Sequence, residues 1–439
     1  MVTTNFLDIP REVRDMIYMY YTSIDGGYVY NADTGKLRPA TPCRQHLALQ
    51  STCKLLAQEM EGLAVAHNVV SFSTVENMRH RAFLFDFLFD MFCRYESHCL
   101  VKHAAKGPIT DSTWEYMAKR FPAFTPLINA VKPHIPSIAD MPDVSYGTKN
   151  YGYYLTQWRG VATSSNLDFI HVLLQQVNSG GDSCTTDLAL HERNWMIPSD
   201  EELARMSKDI KVGFKNDVDH EGMCYSWTEQ KEFNGPCETD RDKYHFSAAA
   251  IAIRFLQCNP TIRLHMRKII LFEDNPSVAF PETHGKGLIP FCAENAQLRI
   301  ERRVSVWTNV YFAPRPVSSR KLPLRAVSWA LEALTLPPAI SLVLDGDPAT
   351  PEISAHNFQK WVIQGAVWQK GFEESYRRQL LPYPGFLAWI SGMHEDPSNF
   401  DEYDGYCCED WPQIIQGIID GSSPISCNFP LEKDFSRDV

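Results

Sequence analysis

Three helix–strand units follow one another in the second half of the chain, and they constrain its fold more than any other feature of the sequence. They read FSAAAIAIRFLQCNPTIRLHMRKIILFEDNP, GLIPFCAENAQLRIERRVSVW and RAVSWALEALTLPPAISLVLDGDP. Their strand cores, 269–272, 304–307 and 341–344, recur at intervals of roughly 35 residues. Such a period is typical of parallel strands, because each unit buries its apolar face against the next. It exceeds the period of standard leucine-rich repeats, and we predict a leucine-rich-repeat-like array or an α/β sheet.

The amino-terminal 75 residues predict a small helical unit that is interrupted by a hairpin. A helix begins at Pro10, whose missing N–H is not needed in a first helical turn, and Val13 and Ile17 mark its apolar face. After a glycine pair, the turn-rich stretch YVYNADTGKL predicts two short strands. A second helix is predicted over about 46–66 and a strand over 68–72.

Three regions follow this unit, and together they predict an α+β protein. Residues 76–150 combine an aromatic-rich helix with a proline-rich connection. Residues 151–350 hold the helix–strand units, with a polar insertion at about 192–243 that is predicted to be a loop. Residues 351–439 read as a helical region with an acidic stretch and tail.

The charge and composition of the chain bear on its partners. The formal net charge is −11, and a nucleic-acid binder normally needs clustered Lys and Arg, so we expect no nucleic-acid partner. No window approaches the roughly 18 consecutive apolar residues of a bilayer span, and no secretory signal is recognisable at the amino terminus. Most of the twelve cysteines are scattered singly, as in reduced proteins. We therefore expect no membrane partner and a cytoplasmic or nuclear location.

One carboxylate set is the strongest candidate for catalytic chemistry. Asp345 and Asp347 follow a strand, and Glu273 and Asp274 end the strand of a neighbouring unit. In a metal-dependent enzyme these four carboxylates would hold Mg²⁺. The alternative is a polar turn that recurs with the unit, and the similar endings FEDNP and LDGDP favour it. No nucleophile elbow, phosphate-binding loop or dinucleotide fingerprint is present. We expect no enzyme, no cofactor and no metal.

Two stretches, FLDIPREVRDMIY and LALQSTCKLLAQEM, carry a family resemblance. Together they resemble the F-box, and most closely the F-box-like domain that is common in fungal proteins. The matching positions are Leu7, Ile9, Pro10, Glu12, Val13, Arg14, Ile17 and Tyr18 in the first stretch and Thr52, Cys53, Lys54 and Glu59 in the second. The resemblance covers the first 75 residues, about a sixth of the chain.

The resemblance implies a docking role in a ubiquitin ligase. In F-box proteins the first helix and the apolar segment before it bind an adaptor of a cullin–RING ubiquitin ligase, while the rest of the chain captures a protein substrate. Carried over residue by residue, the adaptor contact would include Leu7, Ile9, Pro10, Val13 and Ile17. The substrate itself is not implied by the sequence.

An inserted hairpin separates this chain from the ordinary F-box pattern. It spans Gly26 to Arg44, where an F-box continues with a short connection. If the hairpin covers the adaptor-binding face, the first helix packs only into the protein core. If the hairpin leaves that face free, the first helix can dock on a partner. A scaffold that carries a degenerate F-box-like cap, without any ubiquitin ligase, is the remaining alternative.

Overall fold

Seven strands form one sheet, which organises the part of the chain that the structure describes. The structure is a computed structural model and describes residues 6–41, 47–75, 78–106, 109–125, 128–129, 132, 161–178, 193–217, 244–311, 322–380 and 410–431. The strands are β1 (Tyr28–Asn31), β2 (Lys36–Pro39), β3 (Val69–Ser73), β4 (Lys268–Glu273), β5 (Arg299–Ser305), β6 (Ile340–Asp345) and β7 (Ile425–Cys427). The fold mixes helices with this sheet, in agreement with the predicted α+β class.

The helices of the described residues precede, connect and follow these strands. They are α1 (Arg11–Thr22), α2 (Lys54–Glu59), α3 (Leu63–His67), α4 (Arg79–Lys106), α5 (Asp111–Arg120), α6 (Thr163–Asn178), α7 (Asp200–Asp217), α8 (Ala248–Cys258), α9 (Pro260–His265), α10 (Ile289–Glu294), α11 (Leu322–Leu334), α12 (Pro351–Phe358), α13 (Gln364–Arg377) and α14 (Trp411–Asp420). Short 3₁₀ turns cover Phe6–Asp8, Leu49–Ser51, Pro122–Phe124 and Pro281–Leu288. Wider π-helical turns cover Trp307–Tyr311 and Gln359–Ile363.

The strand order is β2-β1-β3-β4-β5-β6-β7, with only the β1–β2 pair antiparallel. From β3 onward each strand lies beside its predecessor and runs parallel to it. Connections between parallel neighbours are almost always right-handed, and connections that all step in one direction place their helices on the same face of the sheet. The sequence order of the strands therefore predicts a sheet that is covered from one side.

The burial pattern along the strands agrees with this expectation. Strand β4 alternates between buried and more exposed residues, and its buried side chains Ile269 and Leu271 pack with helix α8. Strand β6 buries Leu342 and Leu344 against α11, and β7 buries Ile425 with α14. Strand register and the alternation of side chains along each strand place these residues on the same face of the sheet. We call this side, which the helices cover, the helix face.

Two of the predicted elements are wrong in their extent. The strand predicted at 304–307 is β5, which begins at Arg299 and ends at Ser305, because Trp307 starts a π-helical turn and its indole donates to the Gly346 carbonyl. The helix predicted over 46–66 is broken into a 3₁₀ turn, α2 and α3. Gly62 is at the break, in a left-handed conformation with φ of 72° that ends a continuous helix.

The insertion predicted as a loop at about 192–243 contains a helix in its described portion. Helix α7 packs against α4, and Leu203 and Met206 are buried in the core. Ser199 caps the helix, since its hydroxyl accepts from the Glu202 amide while the Glu202 carboxylate accepts from the Ser199 amide. The stretch TTDLAL at 185–190, whose composition predicts a strand, and the acidic stretch before residue 410 lie outside the described residues.

Candidate docking surface

Helix α1 turns its apolar stripe toward solvent. Val13, Met16, Ile17 and Tyr20 are three or four residues apart and share one side of the helix. Val13, Met16 and Tyr20 are 43%, 59% and 74% exposed, and Ile17 is partly exposed. Surface helices normally bury such a stripe against the core. Helix α1 therefore presents the side that most amphipathic helices hide.

The buried side of α1 is polar instead. Arg14, Tyr18 and Thr22 recur at intervals of four and are all buried. The Arg14 guanidinium pairs with Glu59 through two bonds, from Nε to Oε2 at 3.0 Å and from Nη2 to Oε1 at 2.5 Å. The Tyr18 hydroxyl donates to Glu59 Oε2 at 2.6 Å, and its ring packs with Leu56. One buried carboxylate and one tyrosine ring thus hold α1 to the chain that follows it.

Arg14 also fixes the segment that precedes the helix. Its Nη1 donates to the Ile9 carbonyl at 2.6 Å and to the Leu7 carbonyl at 3.2 Å. Leu7 and Pro10 are exposed, and Ile9 is partly exposed. These bonds hold the segment before α1 in place, so its exposed residues extend the exposed stripe of the helix. We call this surface the apolar ridge, defined as Leu7, Ile9, Pro10, Val13, Met16, Ile17 and Tyr20.

All five residues predicted from the resemblance to contact an adaptor lie on the apolar ridge. Val13 is 43% exposed, so this part of the stripe does not pack into the protein core. The inserted hairpin is built into the sheet, because β1 pairs with β3 and β2 forms the sheet edge. Sequence reasoning did not include Met16 and Tyr20 among the contact residues, although their spacing from Val13 was a usable signal.

The buried pairing shifts the ionisation of its members. Hydrogen bonds from Arg14 and then from Tyr18 lower the pKa of Glu59 to about 2. The hydrogen bond to Glu59 in turn raises the pKa of Arg14, while removal from water raises the pKa of Tyr18. At neutral pH the carboxylate is therefore charged and the phenol is neutral, which is the state in which the observed bonds form.

The pKa of Glu59 predicts a pH dependence of stability. A carboxyl whose pKa falls from 4.5 to about 2 on folding stabilises the folded state fully above about pH 4.5 and loses this contribution as the pH falls toward 2. We expect Glu59→Gln to lower the free energy of unfolding at about pH 6, and we expect its difference from the wild type to shrink toward about pH 3. Urea denaturation of both proteins across this range measures the difference.

Glu374→Gln is a matched control for this experiment. The pKa of Glu374 is also lowered to about 2, by hydrogen bonds from Arg377 and Arg378, but these arginines are exposed at the carboxyl end of α13. Solvent screens exposed ion pairs, so this variant should differ from the wild type in the same direction and with the same pH dependence, but by a smaller amount. A Glu59→Gln difference that stayed constant with pH would contradict the assigned role of the carboxylate.

The four carboxylates of the enzyme alternative have separate partners. Glu273 is buried on the helix face and pairs with Arg302, whereas Asp274 is exposed and accepts from the Thr74 amide and hydroxyl. Asp345 accepts from the Asn428 side chain at 2.6 Å and from the Asp347 amide at 3.0 Å. Within the described ranges, no group of three or more His, Cys, Asp or Glu side chains is placed to hold a metal ion. The carboxylates are not brought together as that alternative requires.

A buried polar network ties β4 and β5 to the helix face. The Glu273 carboxylate accepts from Arg302 Nη2 at 2.8 Å and from the Ala248 amide at 2.9 Å, at the start of α8. Beside it, the Ser247 hydroxyl lies 2.7 Å from His284 Nδ1, and His284 Nε2 donates to the Ala279 carbonyl at 2.9 Å. Burial lowers the pKa of His284 to about 3, so this ring is neutral near pH 7. The Ser–His pair is thus part of the protein interior.

Comparisons with known proteins add no further assignment. A scan against protein-family models, a search of curated proteins and a search of solved structures each returned no match. Among the helices of the described residues, none combines the length and apolar character that crossing a bilayer requires.

Proposed function

We propose that this protein is an F-box-like substrate receptor. In this proposal the apolar ridge docks on the adaptor of a cullin–RING ubiquitin ligase, and the rest of the chain captures a protein substrate. The chain itself would carry out no chemistry, since its role is to hold the substrate beside a ligase. The motif resemblance over residues 1–75 supports this proposal from the sequence.

The observation that carries the proposal is that α1 exposes its apolar side and buries its polar side. Each apolar side chain left in water forgoes a stabilisation of about 25 cal/mol per Å² that burial would provide. On the apolar ridge, side chains at consecutive turns of α1 lack this stabilisation, while polar side chains of the same helix are buried. Apolar side chains clustered on a surface commonly mark a site for another protein. Aromatic anchors such as Tyr20 are frequent among the residues that dominate binding energy.

The body of the chain is proposed to act as a rigid platform. Strands β4, β5 and β6 are parallel neighbours, and two of them end in similar acidic turns, FEDNP and LDGDP. We interpret the helix–strand units that contain them as leucine-rich-repeat-like repeats. A continuous sheet that joins β3 to β7 would hold a captured substrate at a fixed distance from the ridge.

Co-purification with the adaptor tests the proposal. The full-length protein is expected to form a complex with the cullin–RING adaptor at micromolar concentration, and Val13→Asp should weaken this complex about 30-fold or more. A charge inside a buried apolar contact costs at least about 2 kcal/mol, which corresponds to this factor. Ile9→Asp should act in the same direction. Isothermal titration and pull-down both measure the loss.

Ile353→Asp is the matched control for Val13→Asp. Ile353 is the third residue of α12, as Val13 is the third residue of α1, and it is 50% exposed. This variant should bind the adaptor like the wild type, and circular dichroism should show both variants folded. If the folded wild-type chain does not bind adaptor at micromolar concentration, the ligase role is wrong and the scaffold alternative is left.

A further inference from the structure

The face of the sheet opposite the helices has a composition of its own. Residues on β4 and β5 that alternate with the buried ones are partly or fully exposed, and register extends this face to the other strands. On β2, Leu37 packs with the core, so its neighbours Lys36 and Arg38 belong to the opposite face. We call this surface the open face, and it consists of Lys36, Arg38, Val29, Lys268, Ile270, Phe272, Arg299, Glu301, Arg303, Ser341 and Val343.

The open face is basic although the whole chain is acidic. It carries five cationic side chains, namely Lys36, Arg38, Lys268, Arg299 and Arg303, and one carboxylate from the same set, Glu301. The chain as a whole has a formal net charge of −11. The acidic side chains Asp274 and Asp345 lie at the carboxyl end of the strands, beyond these cations. On the parallel strands, positive charge thus extends from Lys268 and Arg299 at the amino-terminal ends to Arg303 nearer the carboxyl ends.

The cations are arranged at a cost to the folded state. Lys268 and Arg299 are direct register partners on adjacent parallel strands, and like charges in such positions destabilise a sheet. Glu301 offsets part of this repulsion, since it lies 2.6 Å from Arg303 Nε and 3.5 Å from Lys268 Nζ. A single carboxylate placed among three cations leaves the neighbourhood with a net positive charge. An anionic partner would relieve that excess.

Apolar side chains are interleaved with these cations. Ile270 is the register partner of Glu301, Phe272 is the partner of Arg303, and Arg303 is the partner of Val343. The Arg303 guanidinium lies 5.8 Å from the centre of the Phe272 ring, and Nε bonds to Glu301. Guanidinium groups bind carboxylates with two parallel hydrogen bonds, and their flat faces stack on rings. The surface therefore matches a ligand that alternates carboxylates with apolar groups.

We propose that the open face binds a protein segment that is rich in Asp and Glu with interspersed apolar residues. The carboxylates would pair with Lys268, Arg299 and Arg303, and the apolar side chains would contact Phe272 and Ile270. The strands from β2 to β6 span roughly 24 Å at about 4.8 Å per strand, which an extended segment of about eight residues crosses. Identifying this segment as the ligase substrate rests on the proposed function, whereas the binding itself does not.

Charge complementarity favours an acidic segment over a nucleic acid. A nucleic acid is a long polyanion, and an acidic protein repels it over the whole surface outside the open face. A short peptide presents only a few carboxylates, so the local cations dominate its interaction. Leu, Ile or Val side chains on a peptide would also use the apolar positions, which phosphates do not.

Fluorescence anisotropy with a synthetic acidic peptide tests the inference. The probe is a fluorescein-labelled Glu-Leu-Asp-Ser sequence repeated twice, and the control probe has Lys in place of both acids. We expect the full-length protein to bind the acidic probe and not the basic one, with affinity falling as salt rises. Lys268→Glu together with Arg299→Glu should weaken binding about tenfold or more, since two attractive charges become repulsive.

Arg205→Glu together with Lys208→Glu is the matched control. It reverses one Arg and one Lys at exposed positions of α7, away from the sheet, and changes the net charge by the same amount. This variant should bind the acidic probe within about twofold of the wild type. Circular dichroism should show that both double variants retain the fold.

Several results would overturn the inference. They are no binding of the acidic probe at about 100 μM, equal binding of the basic probe, or equal loss in the control variant. Stronger binding of an oligouridylate of the same charge would assign the face to nucleic acid instead. Binding that emerges only when the acidic residues between 395 and 410 are changed to amides would assign it to the chain's own acidic stretch.

Failure of this inference is distinguishable from failure of the proposed function. Val13→Asp should weaken adaptor binding and leave peptide binding unchanged, because the apolar ridge and the open face belong to different elements. Peptide binding without adaptor binding would uphold the open face as a binding site and reject the ligase role. Adaptor binding without peptide binding would support the ligase role and reject the open face as a binding site.

Discussion

Replacing Glu273 by leucine is expected to lower the free energy of unfolding by about 3–5 kcal/mol. The side chains of Glu273 and Arg302 form a buried ion pair at 2.8 Å, and Arg302 also donates to the carbonyls of Pro281 and Glu282. Leucine would remove the carboxylate that pairs with the buried guanidinium, and the Ala248 amide would lose its acceptor. Breaking one side of a buried pair is costly because the desolvated charge left behind is uncompensated.

A double-mutant cycle separates this cost from the loss of other contacts. Glu273→Leu combined with Arg302→Met removes both charges, and we expect the double variant to be less destabilised than the sum of the two single variants. Urea denaturation followed by circular dichroism provides all four free energies. Strict additivity would show that the two side chains do not depend on one another and would contradict the assigned pairing.

The second large effect is expected at Gly27, where the chain enters β1. Its φ of 69° is in the left-handed region, and a Cβ there would lie 2.2 Å from the Val69 carbonyl oxygen of the neighbouring backbone. Gly27→Ala therefore combines a conformational cost of about 1–3 kcal/mol with a steric overlap that only a backbone shift relieves. We expect the hairpin to separate partly from β3, with a lower free energy of unfolding and faster amide exchange in β1.

Gly35→Ala isolates the steric part of this prediction. Gly35 has a φ of 66°, close to that of Gly27, but a Cβ there would meet no atom within 4 Å. This variant should show the conformational cost alone. If Gly27→Ala and Gly35→Ala destabilised the protein equally, the close approach of Gly27 to β3 would have no energetic consequence.

The sequence predicts the sheet best where apolar residues run without interruption. Strands β4 and β6 fall close to their predicted cores at 269–272 and 341–344, because ILF and LVL runs are typical of buried strands. The apolar pattern predicts β5 too far along the chain, at 304–307, because four of the seven residues of β5 are charged, RIERRVS. One of them, Arg302, is buried through a partner 29 residues away, which a local pattern does not reveal.

The helical elements were less predictable, since chain breaks and long-range contacts decide their extent. The apolar spacing around Gly62 predicts a continuous helix. Gly62 instead has a left-handed conformation, in which a Cβ would lie 2.1 Å from the His265 ring. Helix α7 has a polar sequence with few apolar residues, and its position against α4 depends on Leu203 and Met206. Neither constraint is visible in a local window.

Which side of α1 is exposed is not predictable from the sequence pattern alone. The resemblance identified five ridge residues, but the periodicity of α1 alone indicates only that Val13 and Ile17 share a side. Which side faces solvent depends on Glu59, whose carboxylate gathers Arg14 and Tyr18 from 45 and 41 residues away. Polar residues that form the interior of a small unit run against the usual rule that apolar stripes face inward.

Arg14 and Tyr18 hold α1 in place through Glu59. The exposed residues of the helix therefore contribute little to holding it there. Substitutions at Met16 or Tyr20 would change the exposed side of the helix while the anchoring bonds persist. Mutational drift along the outside of this helix thus remains compatible with a folded protein. The outer side of such a helix can therefore acquire new surface chemistry without a new scaffold.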